Sequence, residues 1–148
     1  MVPLFSFLFF LSSCINQAEP ETHLIPKGYK GYVIIIFDEK NGMPEKYEND
    51  SRVYEIPSDG VLRTQFKEQT GWIAPGKLNY YYYDRTERQK IEYLQSTQGV
   101  KDDSKPYVFS KEISDKTVRY LVGKLSEGDA YFNALRKKVE ELFPPEIQ

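Results

Sequence analysis

The sequence Gly31-Tyr32-Val33-Ile34-Ile35-Ile36-Phe37-Asp38 contains six consecutive apolar residues between a glycine and an aspartate. Four of the six are β-branched, which favours an extended strand. Because apolar and polar residues do not alternate along this run, we predict that both faces of the strand are buried. The rest of the chain must therefore supply packing partners for two faces.

Shorter strand patterns follow this run and are separated by turn signals. Asn41-Gly42 and Asp59-Gly60 are dipeptides typical of tight turns. Alternating or continuous apolar character between such turns predicts further strands at residues 52–56, 61–66, 78–83, 90–95, 107–109 and 117–122.

One amphipathic helix is indicated near the end of the chain. Ser126 and Asp129 have the spacing of a capping box, and Pro144-Pro145 ends the pattern. Its apolar stripe has spacings of three and four and consists of Tyr131, Phe132, Leu135, Val139 and Leu142. We therefore predict a mostly β fold, an antiparallel β-sandwich or curled sheet with one C-terminal α-helix packed on it.

Composition excludes several classes of protein. The chain has 148 residues, which fits one domain, and its net charge of -2 lacks the positive excess of a dedicated nucleic-acid binder. A content of 40% hydrophobic residues excludes compositional disorder. A single Cys and a single His exclude a disulfide framework and zinc sites of the Cys₄ or Cys₂His₂ kind. The sequence predicts no cofactor.

Nine of the first 13 residues are Met, Val, Leu or Phe, and no charged side chain precedes Glu19. As a helix, residues 1–13 would be about 20 Å long, whereas the hydrocarbon core of a bilayer is about 30 Å thick. This length predicts a secretory signal peptide instead of a permanent membrane span.

Leu11-Ser12-Ser13-Cys14 resembles the lipobox of bacterial lipoproteins. The resemblance implies that a diacylglycerol is attached to the thiol of Cys14, that cleavage occurs just before this residue, and that the new amino group receives a further acyl chain such as palmitate. The alternative is that Cys14 packs as a small hydrophobic residue in an apolar N-terminal helix.

The chain after Cys14 is expected to comprise a flexible tether at residues 14–22 and a single β-rich globular domain at residues 23–148. The segments 23–31, 33–35 and 54–64 resemble an uncharacterised family of small bacterial lipoproteins, over roughly residues 21–85. That family implies an envelope location and supplies no activity. The unit Ile56-Pro57-Ser58-Asp59-Gly60-Val61-Leu62 is also similar to β-sandwich modules of the transthyretin or carboxypeptidase-regulatory type.

The sequence offers little catalytic chemistry. His23 stands beside the expected tether, so we expect it to be a surface or partly packed residue without a nucleophile. The run Asp38-Glu39-Lys40-Asn41-Gly42 lacks calcium-loop spacing because its third position is Lys. We therefore predict no catalytic and no metal-binding residues. The 22 acidic residues leave one alternative, a small hydrolase with a carboxylate pair.

Aromatic residues make up 15% of the chain and include 12 tyrosines. The strand that contains Tyr80, Tyr81, Tyr82 and Tyr83 directs two rings to each face. The favoured interpretation is aromatic pairing within the sheet. The other is that these rings form a flat ligand surface for a glycan or a protein, with Trp72 as an anchor.

The leading functional hypothesis is a lipid-anchored protein of the bacterial envelope that acts as a non-catalytic binding or structural module. An inhibitor or immunity-type lipoprotein that blocks an envelope enzyme is the alternative, and a small hydrolase is the third. The predicted partners are the membrane, through the lipid at Cys14, and an envelope protein or glycan, but no nucleic acid.

Overall fold

Residues 16–146, the part of the chain that the computed structural model describes, contain nine strands and one α-helix, α1 (Gly128–Leu142). The predicted signal peptide at residues 1–13 and the predicted lipid-attachment residue Cys14 lie outside the described residues. The strands are β1 (Glu21–Pro26), β2 (Gly31–Ile36), β3 (Tyr47–Glu48), β4 (Ser51–Glu55), β5 (Val61–Arg63), β6 (Leu78–Tyr83), β7 (Arg88–Tyr93), β8 (Tyr107–Ser114) and β9 (Thr117–Gly123).

The strands form one strongly curled half-barrel sheet in the order β3-β4-β1-β6-β7-β8-β9-β2-β5. This arrangement confirms the curled sheet with one C-terminal helix, and the described residues form one sheet in place of a two-layer sandwich. The pairing is mixed, because β1–β4, β1–β6, β2–β5 and β7–β8 are parallel. Two parallel strands cannot be connected by a tight turn, so turn signals in the sequence do not predict which strands pair in parallel.

Strand β2 is buried on both faces, as its sequence predicts. Val33 and Ile35 face the core enclosed by the curled sheet, whereas Ile34 and Ile36 face α1 on the opposite side. None of the four side chains exposes more than 3% of its surface. The curl of the sheet covers one face of β2 and the helix covers the other.

Helix α1 packs on the sheet through a narrower stripe than the sequence predicts. Tyr131 and Leu135 are buried, whereas Phe132 is 53% exposed because it lies about 100° around the helix from Tyr131. The predicted capping box is wrong. Ser126 belongs to a 3₁₀ turn at Leu125–Glu127, and α1 begins after this turn without a side-chain cap. Within residues 16–146, no helix has the length and apolar character to cross a bilayer.

The segment expected to be a tether joins the sheet earlier than predicted. Strand β1 begins at Glu21, and Ala18 is already buried. The backbone N–H of Ala18 donates to the carbonyl of Trp72 at 2.9 Å, and that of Arg52 donates to the carbonyl of Pro20 at 2.8 Å. Residues from Ala18 onward are therefore part of the folded domain.

Gly60 holds the turn before β5 against β2. Its backbone has φ +79°, and its carbonyl accepts the N–H of Ile34 at 2.8 Å. A methyl group at Gly60 would collide with the hydroxyl of Tyr29 and with the backbone carbonyl of Tyr32. Gly99 has the same φ of +79°, but a methyl group there would meet nothing within 4 Å.

These two glycines make a matched pair for a test of the packing. Gly99→Ala should lower the free energy of unfolding by about 1 kcal/mol, the cost of a left-handed backbone. Gly60→Ala should cost roughly 2 kcal/mol more, because it adds a collision with backbone atoms. Urea denaturation measures both differences. Equal losses for the two variants would contradict the close packing of this turn on β2.

Candidate functional site

The interior of the curled sheet contains a hydrogen-bonded set of polar side chains. Glu21 and His23 are two residues apart on β1, so both side chains point to its inner face. Tyr120 lies on β9, four places away in the sheet, and reaches His23 across the interior. His23 and Tyr120 have no exposed surface. Only a strongly curled sheet brings these strands within hydrogen-bonding distance.

We call this set the Tyr120–His23–Glu21 relay. The Nε2 atom of His23 lies 3.0 Å from Oε2 of Glu21, and its Nδ1 atom lies 3.0 Å from the hydroxyl of Tyr120. Because a carboxylate only accepts hydrogen bonds, Nε2 carries the proton, and Nδ1 accepts the hydroxyl of Tyr120. The side-chain N–H of Gln69 donates to the other oxygen of Glu21 at 2.7 Å.

The relay holds a neutral imidazole against a carboxylate. Burial lowers the pKa of His23 and outweighs the opposing effect of its bond to Glu21. Burial alone would raise the pKa of Glu21, but the bond from His23, the nearby charge of Lys111 and the bond from Gln69 together lower this pKa to about 2. At neutral pH, Glu21 is therefore ionised and His23 is uncharged.

The expectation that His23 is a surface or partly packed residue is wrong. Its strand lies between β4 and β6 instead of beside a free tether, and the rings of Tyr54 and Tyr80 contact the imidazole with centroids 4.9 and 4.5 Å away. The sequence carries no local signal for this burial, because Glu21 and His23 are polar and the position of β1 within the sheet is not visible in a local pattern. The Tyr120 hydroxyl bonded to His23 resembles a nucleophile beside its general base. Both side chains are fully buried, so we interpret the relay as a structural element.

A cleft opens on the sheet beside the relay, between β6, β7 and the segment that precedes β8. Its volume is about 550 Å³. Tyr80 and Ile91 form its buried floor, and Tyr80 also contacts the relay, with its ring centroid 5.2 Å from that of Tyr120. The cleft is lined by Leu78, Tyr80, Tyr82, Gln89, Lys90, Ile91, Glu92, Tyr93, Lys105 and Pro106.

Five consecutive residues of β7 line this cleft, which indicates that the strand presents its backbone edge to it. The N–H of Lys27 donates to the carbonyl of Tyr83 at 3.1 Å, so the peptide groups of Tyr83 face β1 and not β7. Arg88 is paired opposite Tyr83 and must therefore direct its own peptide groups away from β6. Alternation along the strand turns the N–H and C=O of Lys90 to the same outer side.

The neighbouring strand β8 covers only the end of this edge. Strand β8 pairs with Glu92 and Tyr93, and Val108 accepts the N–H of Leu94 at 2.9 Å. Two residues before Val108 stands Pro106, which has no N–H to continue the ladder. Among the described residues, the outward peptide groups at 88–91 therefore have no strand partner, and we call this segment the open edge of β7.

The five aromatic residues named in the alternative ligand-surface interpretation lie in three places. Tyr80 and Tyr82 face the interior and line the cleft, whereas Tyr81 and Tyr83 lie half-buried on the opposite face of β6. Trp72 projects from the loop before β6 and is 57% exposed. The two-residue period of a strand prevents all four tyrosines from sharing one face. Sequence reasoning missed the open edge, which depends on strand order.

Within the part of the chain that the structure describes, no three His, Cys, Asp or Glu side chains lie together in a way that could hold a metal ion.

The relay predicts how stability depends on pH. In the unfolded chain, His23 takes up a proton below its ordinary pKa of 6.5, and Glu21 does so below 4.5. The folded relay resists both protonations, so the unfolded state binds more protons and the free energy of unfolding falls as the pH is lowered. Glu21→Gln should lower stability at pH 7 by about 3 kcal/mol and flatten the decline between pH 4.5 and 2.

Denaturant titrations from pH 7 to pH 2 measure this effect. Glu45→Gln removes an exposed carboxylate instead and should follow the wild-type profile. A profile for Glu21→Gln that runs parallel to the wild type would show that the buried carboxylate does not stabilise the fold.

Comparison with known proteins gives two similarities. A crystal structure described as that of a putative lipoprotein from Bacillus anthracis is similar with a TM-score of 0.49 and 16% sequence identity, over 86% of this chain and 95% of that one. No curated protein matches the sequence. The profile of a family of unknown function, DUF6843, matches residues 17–122, which include the relay, the cleft and the open edge of β7. The chain therefore belongs to the DUF6843 family.

Proposed function

We propose that this protein is a lipid-anchored, non-catalytic binding module of the bacterial envelope. Its cleft receives an extended segment of another envelope protein, which pairs with the open edge of β7. The observation that carries the proposal is the outward-facing peptide group of Lys90, which has no strand partner among the described residues and lies in an aromatic cleft.

The cleft suits an added strand in both its backbone and its side chains. An edge strand with free N–H and C=O groups is a template for β-strand addition. Successive side chains of the guest would point in opposite directions. One set would pack on Tyr80, Ile91 and Leu78, and the other would meet the charged rim that contains Lys90 and the ion pair of Lys105 with Glu92, whose atoms lie 3.0 Å apart.

The envelope location rests on the sequence Leu11-Ser12-Ser13-Cys14. The folded domain begins within a few residues of Cys14, because the N–H of Ala18 is already bonded to the domain. A protein anchored at Cys14 would therefore be held close to the membrane surface. Two or more acyl chains are needed for stable attachment, which the lipoprotein pathway supplies.

Proline at position 90 tests strand addition directly. Lys90→Pro removes the outward N–H but no bond to β6, so the variant should fold, with proline tolerated at an edge. We expect its recovery of the partner from detergent-solubilised envelope to fall roughly tenfold or more, since a backbone bond is lost and the ring obstructs the edge. Lys90→Ala keeps the N–H and removes only one side chain of the rim, so its recovery of the partner should fall far less than that of Lys90→Pro. Quantitative mass spectrometry compares the three samples.

The identity of the recovered material distinguishes the alternatives. One enzyme in stoichiometric amount, lost with Lys90→Pro, would make the module an inhibitor of that enzyme. Equal recovery by Lys90→Pro and Lys90→Ala would contradict strand addition. Recovery of polysaccharide in place of protein would contradict the proposed class of partner.

The anchor is tested by a separate pair of variants. Cys14→Ala removes the only thiol in the chain, so the protein should lose acyl labelling and move from the membrane to the soluble fraction. Ser13→Ala keeps a small residue before the cleavage position and should behave as the wild type. An unlabelled wild-type protein, or a Cys14→Ala protein that stays in the membrane fraction, would contradict lipidation.

A further inference from the structure

The large loop between β5 and β6 exposes an indole at the end of the domain where the described chain begins. Trp72 is 57% exposed and is the only tryptophan in the protein. It does not line the cleft between β6 and β7 that is proposed to bind a partner. A large apolar ring in this position has no role in the folded core.

The backbone of Trp72 is fixed to the first described residues. Its N–H donates to the carbonyl of Asn16 at 3.2 Å, and its carbonyl accepts the N–H of Ala18 at 2.9 Å. Gly71, beside it, has φ +124°, and a methyl group there would collide with the carbonyl of Asn16. The loop and the start of the domain are therefore in direct backbone contact.

Covalent geometry then relates the indole to the lipid. Cys14 stands two residues before Asn16. Two residues of extended chain span at most about 7 Å. Acyl chains on Cys14 would therefore bring the bilayer surface close to Trp72. Tryptophan rings prefer the interface between headgroups and hydrocarbon, where the ring is apolar and the N–H remains hydrated.

We propose that Trp72 inserts into the interfacial layer of the membrane that holds the Cys14 lipid, and that this second contact fixes the orientation of the domain. The inference rests on the lipidation proposed above.

This orientation of the domain also places the open edge of β7 away from the lipid. Strand β1 runs away from the membrane end for six residues, and β6 runs parallel to it, so the antiparallel β7 begins at the far end of the sheet. Six residues of strand span about 20 Å.

The single tryptophan makes the test direct. The native lipidated protein is reconstituted in phosphatidylcholine–phosphatidylglycerol vesicles, with or without lipids brominated near the headgroup end of the acyl chain. The fluorescence emission of Trp72 should lie at shorter wavelength than that of the unlipidated Cys14→Ala protein in buffer without detergent or vesicles. The brominated lipids should quench this emission. A matched control carries Trp72→Phe with Phe132→Trp, which moves the indole to a helix position of similar exposure, 53%. Its emission should be neither shifted nor quenched.

The outcomes separate this inference from the proposed anchor. Vesicle-bound, acylated protein whose Trp72 emission is unshifted and unquenched would overturn the membrane contact while leaving the anchor intact. Equal quenching of Trp72 and of the indole at position 132 would show that no particular face meets the bilayer, and would also overturn it. An unmodified Cys14 thiol in the mass spectrum of the native protein would overturn the anchor and, with it, the inference.

Discussion

Because β2 is buried on both faces, the other elements of the fold must pack so that each of these faces is covered. The side chains of residues 33–36 are each at most 3% exposed, so other elements must pack on both faces of the strand. The described part of the chain contains one α-helix, which can pack on only one of them. The helix covers Ile34 and Ile36. The sheet itself must cover the other face, which it does by curling until its strands face one another across a common core.

The curl brings together groups that are distant in both sequence and strand order. Tyr120 meets His23 across the interior, and a carboxylate on β1 completes the set. Buried polar groups are costly unless they are paired, so this relay favours one curvature and one register over others. The sheet remains open where Pro106 ends the β7–β8 ladder, and the same curvature that completes the core thus leaves a concave, aromatic cleft beside an unpaired edge.

Local sequence patterns predict the strands and the helix well, because side-chain periodicity reflects burial directly. The burial of residues 33–36 and the alternating burial of residues 80–83 follow from it, whereas the end of α1 before Pro144 follows from the missing N–H of proline. Patterns do not reveal strand order: the predicted tether includes Glu21 and Thr22, which are the first two residues of β1, although this strand is paired in parallel on both sides. The buried His23 and the open edge of β7 both depend on that order, so neither could be predicted from the sequence.

The proposed binding site requires an open edge on β7, and hydrogen exchange of the backbone amides in the free protein, followed by NMR, measures whether this edge is open. Gln89 and Ile91 direct their N–H groups to β6, whereas Lys90 directs its own into the cleft. The amide of Lys90 should therefore exchange much faster than the amides of its two neighbours, since protection reports a closed hydrogen bond. Uniform protection across the three amides would show that another part of the chain covers the edge, and would contradict the proposed binding site.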